Sequence, residues 1–361
     1  MKKLVFLCLC MLLSGCMQPT KNKTLYKSST LEAGFDTVIT LQLYADSEEK
    51  FNETFQIAAH GFLYFHQLFD KYNDYDVNNI KTINDNAGIQ PVEVNQEIID
   101  LLLLAKEYSE ISNNQFNITL GPVLELWHDV REKAENGQPY TLPTKEELNK
   151  AYVCSGWDKV EINDDANTVY LTESCSSLDV GAIAKGYAAQ KVADYLKSEG
   201  YNNGIIDAGG NIQFLGPKIT NEPWVVGVTK PTLKAQNSIV RLNIAEENAF
   251  VTSGDYQRYF IHNDEIMHHI IDPDTLYPSK HARSVTILTK DSGIADILST
   301  TLYTMTYQEG KALIEQLNQS GIHAEVLWIY DTLDEIKDEA YIEKDDFYMI
   351  HTPNIELITE Y

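Results

Sequence analysis

Between Leu178 and Ala188 the chain reads Leu-Asp-Val-Gly-Ala-Ile-Ala-Lys-Gly-Tyr-Ala, and this run constrains the fold more than any other. Small residues and two glycines surround one acid, Asp179, and one base, Lys185. Helical spacing follows, with Ala188, Val192, Ala193 and Leu196 on one face. Such a segment is a tight turn entering a helix N-terminus, with few side chains to cover its backbone. Bare N–H groups at a helix start suit an anion such as a pyrophosphate, and a bare carbonyl can hold a metal. The same turn can serve only to let a helix pack closely, so its chemistry depends on what else the chain supplies.

The rest of the chain alternates between two periodicities. Residues 34–46 repeat every second position and are predicted as a strand. Residues 47–71 place Phe51, Phe55, Ala58, Phe62, Phe65 and Phe69 on one helical face, a core stripe. Residues 73–88 are polar and read as a loop. Amphipathic helices are expected over 95–112 and 119–135, a hairpin over 158–172, and a helix over 186–199. Strands are expected at 203–207, 224–229, 239–244, 248–252, 256–262 and 283–289. Helices near Ile294 and over 309–319 precede strand-like runs at 323–330 and 346–350. Helices and strands mix without regular βαβ alternation, which predicts an α+β fold of helices and antiparallel sheets in one domain over 31–361.

The N-terminus reads as an address. Lys2 and Lys3 precede an apolar run from Leu4 to Leu13, too short to span a bilayer, and Leu13-Ser14-Gly15-Cys16 follows. This resembles a bacterial lipoprotein signal over 1–15, cleaved before a diacylated Cys16. Two acyl chains anchor stably, so the expected location is the extracytoplasmic face of the cell membrane. Residues 16–30 are then a lipidated cysteine and polar tether.

The formal charge is −25, which argues against nucleic-acid binding, since that needs a basic face. An anionic ligand must be met by local cations or a metal. Beyond the signal and the lipid site, Cys154 and Cys175 remain, in a compartment that permits disulfides. A hairpin lies between them, with Asp164-Asp165-Ala166-Asn167 as its turn. Pairing Val160 with Val169 sets the two cysteines opposite each other across the ladder, within bridging reach.

Three more segments could carry chemistry. Asp207-Ala208-Gly209-Gly210-Asn211 follows an apolar strand, and paired glycines there allow close backbone approach by a ligand. Val251-Thr252-Ser253-Gly254-Asp255-Tyr256 is followed by His268-His269-Ile270-Ile271-Asp272-Pro273. Successive strand residues point to opposite faces, so only one of the two histidines should face a ligand, and His269 is the better candidate. In Ala295-Asp296-Ile297-Leu298-Ser299-Thr300, Asp296 and Thr300 share a helix face. A carboxylate and a hydroxyl there suit a hard cation such as Mg²⁺, whereas a plain helix would have Thr300 back-bond to its own turn.

Taken together and in order, these segments resemble the ApbE family of FAD:protein FMN transferases. Gly34-Phe35-Asp36-Thr37, Asn84 with Ala87-Gly88, and Phe116-Asn117-Ile118-Thr119-Leu120-Gly121-Pro122 extend the resemblance over roughly 30–330. The position of Phe35 often carries Met in that family, and Ser299 is Ala in some members. The resemblance implies transfer of the FMN half of FAD onto a Thr or Ser hydroxyl of a target protein, with release of AMP. It implies metal ligands at the Ala182 carbonyl, the Asp296 carboxylate and the Thr300 hydroxyl. It implies FAD contacts at Phe35, Asn84, Phe116, Asn117, Thr119, Asp179, Lys185 and Ile270, with His269 near the reacting phosphates. Lys185 would add a second cation, and the base is His269 or Asp296. Two alternatives stay open: an Mg²⁺-dependent FAD pyrophosphatase, and an FAD-binding storage lipoprotein. No Asp-x-x-Ser/Thr-Gly-Ala-Thr acceptor sequence occurs in the chain, so the acceptor is expected to be a separate apo-flavoprotein, membrane-associated or extracytoplasmic.

Overall fold

The computed structural model describes residues 23–233, 237–245 and 248–358. Cys16 and the signal lie outside the described residues. The elements, in chain order, are β1 (Thr24–Thr30), β2 (Ile39–Ala45), α1 (Glu48–Phe69), α2 (Ile80–Asp85), β3 (Val92–Glu93), α3 (Gln96–Ile111), α4 (Gly121–Glu135) and α5 (Lys145–Tyr152). The hairpin strands β4 (Val160–Asn163) and β5 (Thr168–Leu171) follow, then α6 (Ala184–Ser198), β6 (Gly204–Ala208), β7 (Asn211–Gly216), β8 (Trp224–Thr229), β9 (Ser238–Ile244) and β10 (Ala249–Gly254). Last come β11 (Tyr259–His262), β12 (Glu265–His268), β13 (Ser284–Thr289), α7 (Ser292–Tyr303), α8 (Tyr307–Ser320), β14 (Glu325–Tyr330), β15 (Ile342–Lys344), β16 (Phe347–His351) and β17 (Leu357–Ile358).

A nine-stranded antiparallel sheet in the order β1-β2-β6-β7-β10-β13-β14-β16-β15 forms the frame. One face carries α1, α6 and α7. The other is covered by the small sheet β17-β9-β8. Strand β14 shows why both layers exist. Val326, Trp328 and Tyr330 enter the helix-side core, while Leu327 and Ile329 enter the core under the small sheet. A strand buried on both faces reads as a continuous apolar run, as residues 326–330 of β14 do. A third cluster joins α4 and α5 to the β11–β12 hairpin through Trp127, Leu148, Phe260 and Met267. The α+β expectation therefore holds. Among the described residues no helix is long and apolar enough to cross a membrane.

Several boundaries differ from the sequence reading. The tether expected to run to residue 30 ends earlier, because Thr24–Thr30 pairs with β2 as the edge strand. The strand expected from residue 34 begins at Ile39, since Gly34, Phe35 and Asp36 hold φ values of 86°, 59° and 49°, a left-handed turn no strand can contain. The polar stretch 73–88 contains α2, whose Asn79 forms a capping box with Thr82. The hairpin register is two residues away from the one inferred: Val160 faces Leu171, and Val169 faces Ile162. Cys154 and Cys175 are nonetheless bridged, with Cα atoms 5.5 Å apart, but beyond the ladder, where the chain leaves α5 and β5. The strand expected over 256–262 shrinks to β11 and folds back on β12 around Asn263 and Asp264, both with positive φ.

Candidate functional site

A cleft of about 630 Å³ opens where the C-terminal end of α1, the N-terminal turn of α6, helix α7, and the ends of β10 and β12 converge. Its position follows from one close approach. Helices α6 and α7 meet at Gly186, where a Cβ would collide with the carbonyl oxygen of Ser292 and lie 2.6 Å from Asp296 Cβ. Only glycine lets the helices touch there. The contact brings the Gly186 N–H to within 2.9 Å of Asp296 Oδ2, to which it donates.

That hydrogen bond has a consequence for Ala182. In a regular helix start the Gly186 amide would close the turn onto the carbonyl four residues back, which is that of Ala182. The amide goes to Asp296 instead. The neighbouring turn is closed normally by Ala184 N onto Val180 O at 2.9 Å and by Tyr187 N onto Ile183 O at 2.9 Å. The Ala182 carbonyl is thus left without its helical donor, and Ala182 lines the cleft with Asp296 and Thr300. Thr300 does not back-bond to its own helix as Thr301 and Thr304 do. The Asp296 carbonyl is taken by Ser299 Oγ at 3.0 Å. A carbonyl, a carboxylate and a hydroxyl, all oxygen donors, therefore border one space, which is the donor set a hard divalent cation takes. Among the described residues no group of three His, Cys, Asp or Glu side chains offers an alternative cage.

In the same turn as Ala182, Asp179 is held by Lys71 Nζ at 2.8 Å and by the Gly181 N–H at 2.9 Å. Burial alone would raise the Asp179 pKa, but Lys71 overrides it and keeps the carboxylate ionised below its ordinary range. Burial likewise opposes the Lys71 charge, and Asp179 more than restores it. Arg131 donates to His128 Nδ1 at 2.9 Å, and the His128 ring lies 5.2 Å from that of Tyr72. Lys185 and Arg258 also reach the cleft. In a chain with 28 basic and 53 acidic residues, Lys71, Arg131, Lys185 and Arg258 match the four acids that line the cleft, Asp36, Asp70, Asp179 and Asp296, so the cleft is charge-balanced where the chain as a whole is acidic, and Arg131, Lys185 and Arg258 remain for an anionic ligand beside the paired Lys71.

The two adjacent histidines divide their work. His268 is 6% exposed. It donates from Nε2 to Ser279 O at 2.7 Å and accepts the Ile270 N–H at Nδ1, 3.2 Å away. It braces the turn that carries its neighbour. His269 lines the cleft, with Nδ1 3.3 Å from the Arg258 carbonyl oxygen. A carbonyl only accepts, so Nδ1 bears the proton and Nε2 keeps its lone pair. Burial, reinforced by His268, Arg258, Arg131 and Lys185, pushes the His269 pKa down to about 3. The ring is neutral at neutral pH and can accept a proton.

Of the other residues named from sequence, Phe35, Phe116, Asn117, Asp179, Lys185 and Ile270 line the cleft. Phe35 is set by its left-handed φ and by donating its N–H to His66 Nδ1 at 3.2 Å. Asn84 and Thr119 stand behind the wall. Asn84 makes two hydrogen bonds to the Leu178 backbone, at 2.8 and 3.0 Å, and so pins the segment leading to Asp179. Thr119 Oγ1 accepts the Gly156 N–H at 2.8 Å and donates to Asn117 Oδ1 at 2.7 Å. Their amide and hydroxyl groups are spent on the protein, so their position is structural rather than on the cleft surface. Sequence reasoning missed Lys71, Tyr72, His128, Arg131 and Arg258. Lys71 lies two residues past Phe69, the last of the aromatic stripe of α1, and His128 and Arg131 are three apart on α4. Basic residues beside aromatic ones in so acidic a chain were the available signal.

The chain matches the ApbE family over residues 35–324. It is 31% identical over 284 residues to a protein of Klebsiella pneumoniae (strain 342) named FAD:protein FMN transferase, covering 77% of this chain and 82% of that one. A Vibrio cholerae protein of the same name is 31% identical over 262 residues, covering 72% and 75%. The crystal structure of the ApbE protein from Thermotoga maritima superposes with a TM-score of 0.73 at 28% identity, over 84% of this chain and 94% of that one.

Proposed function

Since the chain belongs to the ApbE family, we propose that it is an FAD:protein FMN transferase, moving the FMN moiety of FAD onto a Thr or Ser hydroxyl of an acceptor protein and releasing AMP. One observation carries the reading for this chain: the Gly186 amide is diverted to Asp296, which frees the Ala182 carbonyl beside Asp296 and Thr300. These three would hold Mg²⁺, which when bound acts as a Lewis acid on pyrophosphate oxygens.

The chain's own groups supply the rest. Lys185, at the start of α6, offers a cation to the pyrophosphate, while the Gly181, Ile183, Ala184 and Gly186 amides of that turn are bonded within the protein. Lys71 and Asp179 neutralise each other and form a rigid polar wall. His269 Nε2 takes the proton of the acceptor hydroxyl as its oxygen bonds to the FMN phosphorus and the P–O bond to AMP breaks. Asp296 is the weaker candidate for base, because one oxygen already accepts from Gly186 and the carboxylate is committed to the cation. Holding hydroxyl and phosphorus together in the cleft provides much of the rate.

The same reading includes an anchor. Diacylation of Cys16 would keep the enzyme on the extracytoplasmic face of the membrane, and the acceptor would be a separate redox flavoprotein on that side. The support is the sequence Lys2-Lys3, the apolar run and Leu13-Ser14-Gly15-Cys16. Cys16→Ser should move the protein from the membrane to the soluble fraction.

The deciding experiment incubates the full chain in detergent with FAD, Mg²⁺ and an apo-flavoprotein acceptor, and reads covalent flavin fluorescence on the denatured acceptor together with AMP. A fluorescent band that is lost in Asp296→Ala supports the transferase. AMP without the band makes the chain a hydrolase, and bound FAD without AMP makes it a flavin store.

A further inference from the structure

Thr300 brings to the cleft a hydroxyl, which can show a cation either a lone pair or a proton. Three contacts decide which. Ser299 Oγ lies 3.0 Å from the carbonyl oxygen of Asp296, which has no proton to give, so Ser299 is the donor there. Ser299 Oγ also lies 2.8 Å from Ser253 Oγ. The single proton of Ser299 is already placed, so Ser253 donates in this pair. Ser253 Oγ lies in turn 3.5 Å from Thr300 Oγ1, the longest contact of the three. With the Ser253 proton spent on Ser299, only Thr300 can donate across that distance.

We propose that Ser253 and Ser299 form a proton-ordered hydroxyl chain, Thr300 to Ser253 to Ser299 to the Asp296 carbonyl, that turns the Thr300 proton along the cleft wall toward Ser253 and leaves the lone pairs of its oxygen free for a cation. Ser253 and Ser299 are thus positioning residues for a divalent cation held by Ala182, Asp296 and Thr300; the inference rests on that metal reading. The chain starts and ends on α7 and crosses to β10 in between, so it also fixes the distance between the helix and the strand that form this side of the cleft. Ser299 is fully buried and Ser253 half-buried, so no bulk water is needed to complete the order. Partners behind a metal ligand of this kind typically change metal affinity 10- to 100-fold when removed.

The test uses Mn²⁺ alone, with the metal-free full chain in detergent and no FAD or acceptor. The electron paramagnetic resonance signal of free Mn²⁺ reports binding. Ser253→Ala and Ser299→Ala are expected to weaken Mn²⁺ binding by about 10-fold or more, Ser253→Thr to restore it, and Asp296→Ala to abolish it. Thermal unfolding of the metal-free Ser253 variants should match that of the unsubstituted protein, and if Ser299→Ala does not fold, the two Ser253 variants decide. Affinity within twofold in Ser253→Ala overturns the hydroxyl chain and leaves the metal site standing. Failure of the unsubstituted protein to bind Mn²⁺ overturns both.

Discussion

Gly186→Ala tests the geometry of the site through its sign. Gly186 sits in α6 with ordinary helical backbone, where alanine is the better helix former by about 1 kcal/mol. On propensity alone the substitution stabilises. The added Cβ, however, would run into the Ser292 carbonyl oxygen and come to 2.6 Å from Asp296 Cβ and 2.9 Å from Ser292 C. These are backbone and near-backbone atoms of α7 and cannot swing aside, so α6 and α7 must separate. Overpacking of this kind costs typically ~1–3 kcal/mol. Separation also stretches the Gly186 N–H to Asp296 hydrogen bond, and bonds to charged groups are worth ~1.5–3 kcal/mol. With the propensity gain subtracted, the expected outcome is a net loss of about 2 kcal/mol. At ~2.1 cal/mol/K of unfolding entropy per residue, that lowers Tm by about 3 °C in a chain of this length. Calorimetry reads the shift, and the Mn²⁺ titration should weaken in parallel because Asp296 and Ala182 move apart. Gly310→Ala in α8 is the contrast. Its nearest neighbour is the flexible Leu302 Cδ2 at 3.2 Å, so the change should be close to neutral or stabilising. A Gly186→Ala protein at least as stable as its parent, with unchanged Mn²⁺ affinity, would refute the close-approach account.

Three further outcomes are expected. Lys71→Met leaves the Asp179 carboxylate without its cation and should cost about 3 kcal/mol at neutral pH. Asp179 has a depressed pKa, so its contribution is present above the unfolded carboxylate range and lost as pH falls through the folded value; the variant should therefore lose less stability than its parent on acidification, and parallel losses would count against the pair. His269 is a base whose folded pKa, about 3, lies below the ordinary ~6.5. Its neutral form stabilises fully above ~6.5 and that contribution fades as pH drops toward 3, so His269→Asn should flatten the stability profile between those limits; a kcat/KM that falls with a pKa near 6.5 because His269 protonates would contradict its depressed pKa. Replacing both Cys154 and Cys175 by Ser removes a crosslink with a sequence separation of 21, which should cost roughly 3 kcal/mol in denaturant titrations, and an unchanged midpoint would show that the loop is held by its hydrogen bonds alone.

How far each part was legible follows from the range of the forces involved. The aromatic stripe of α1 and the turn before α6 are written in residues a few positions apart, and the predicted elements match them within a few residues. The left-handed turn at Gly34–Asp36 is not readable from alternation, because Phe35 carries no sign of positive φ and fits the period-two pattern. From sequence alone β1 is indistinguishable from a tether, because its polar residues fit an exposed edge as well as a linker.

The sequence by itself determined the helix and strand periodicities, the run of small residues around Asp179 and Lys185, the placing of Asp296 and Thr300 on one helix face, and the resemblance to the ApbE family. Only the tertiary structure decided the nine-strand order, the true hairpin register, the partner of Asp179, and the diversion of the Gly186 amide to a carboxylate 110 residues away. The physical reason is that local spacing sets which face a side chain takes, while a hydrogen bond between distant segments depends on how closely two helices can approach. At Gly186 that approach rests on a missing methyl group, which acquires its meaning only when the Ser292 carbonyl is found against it.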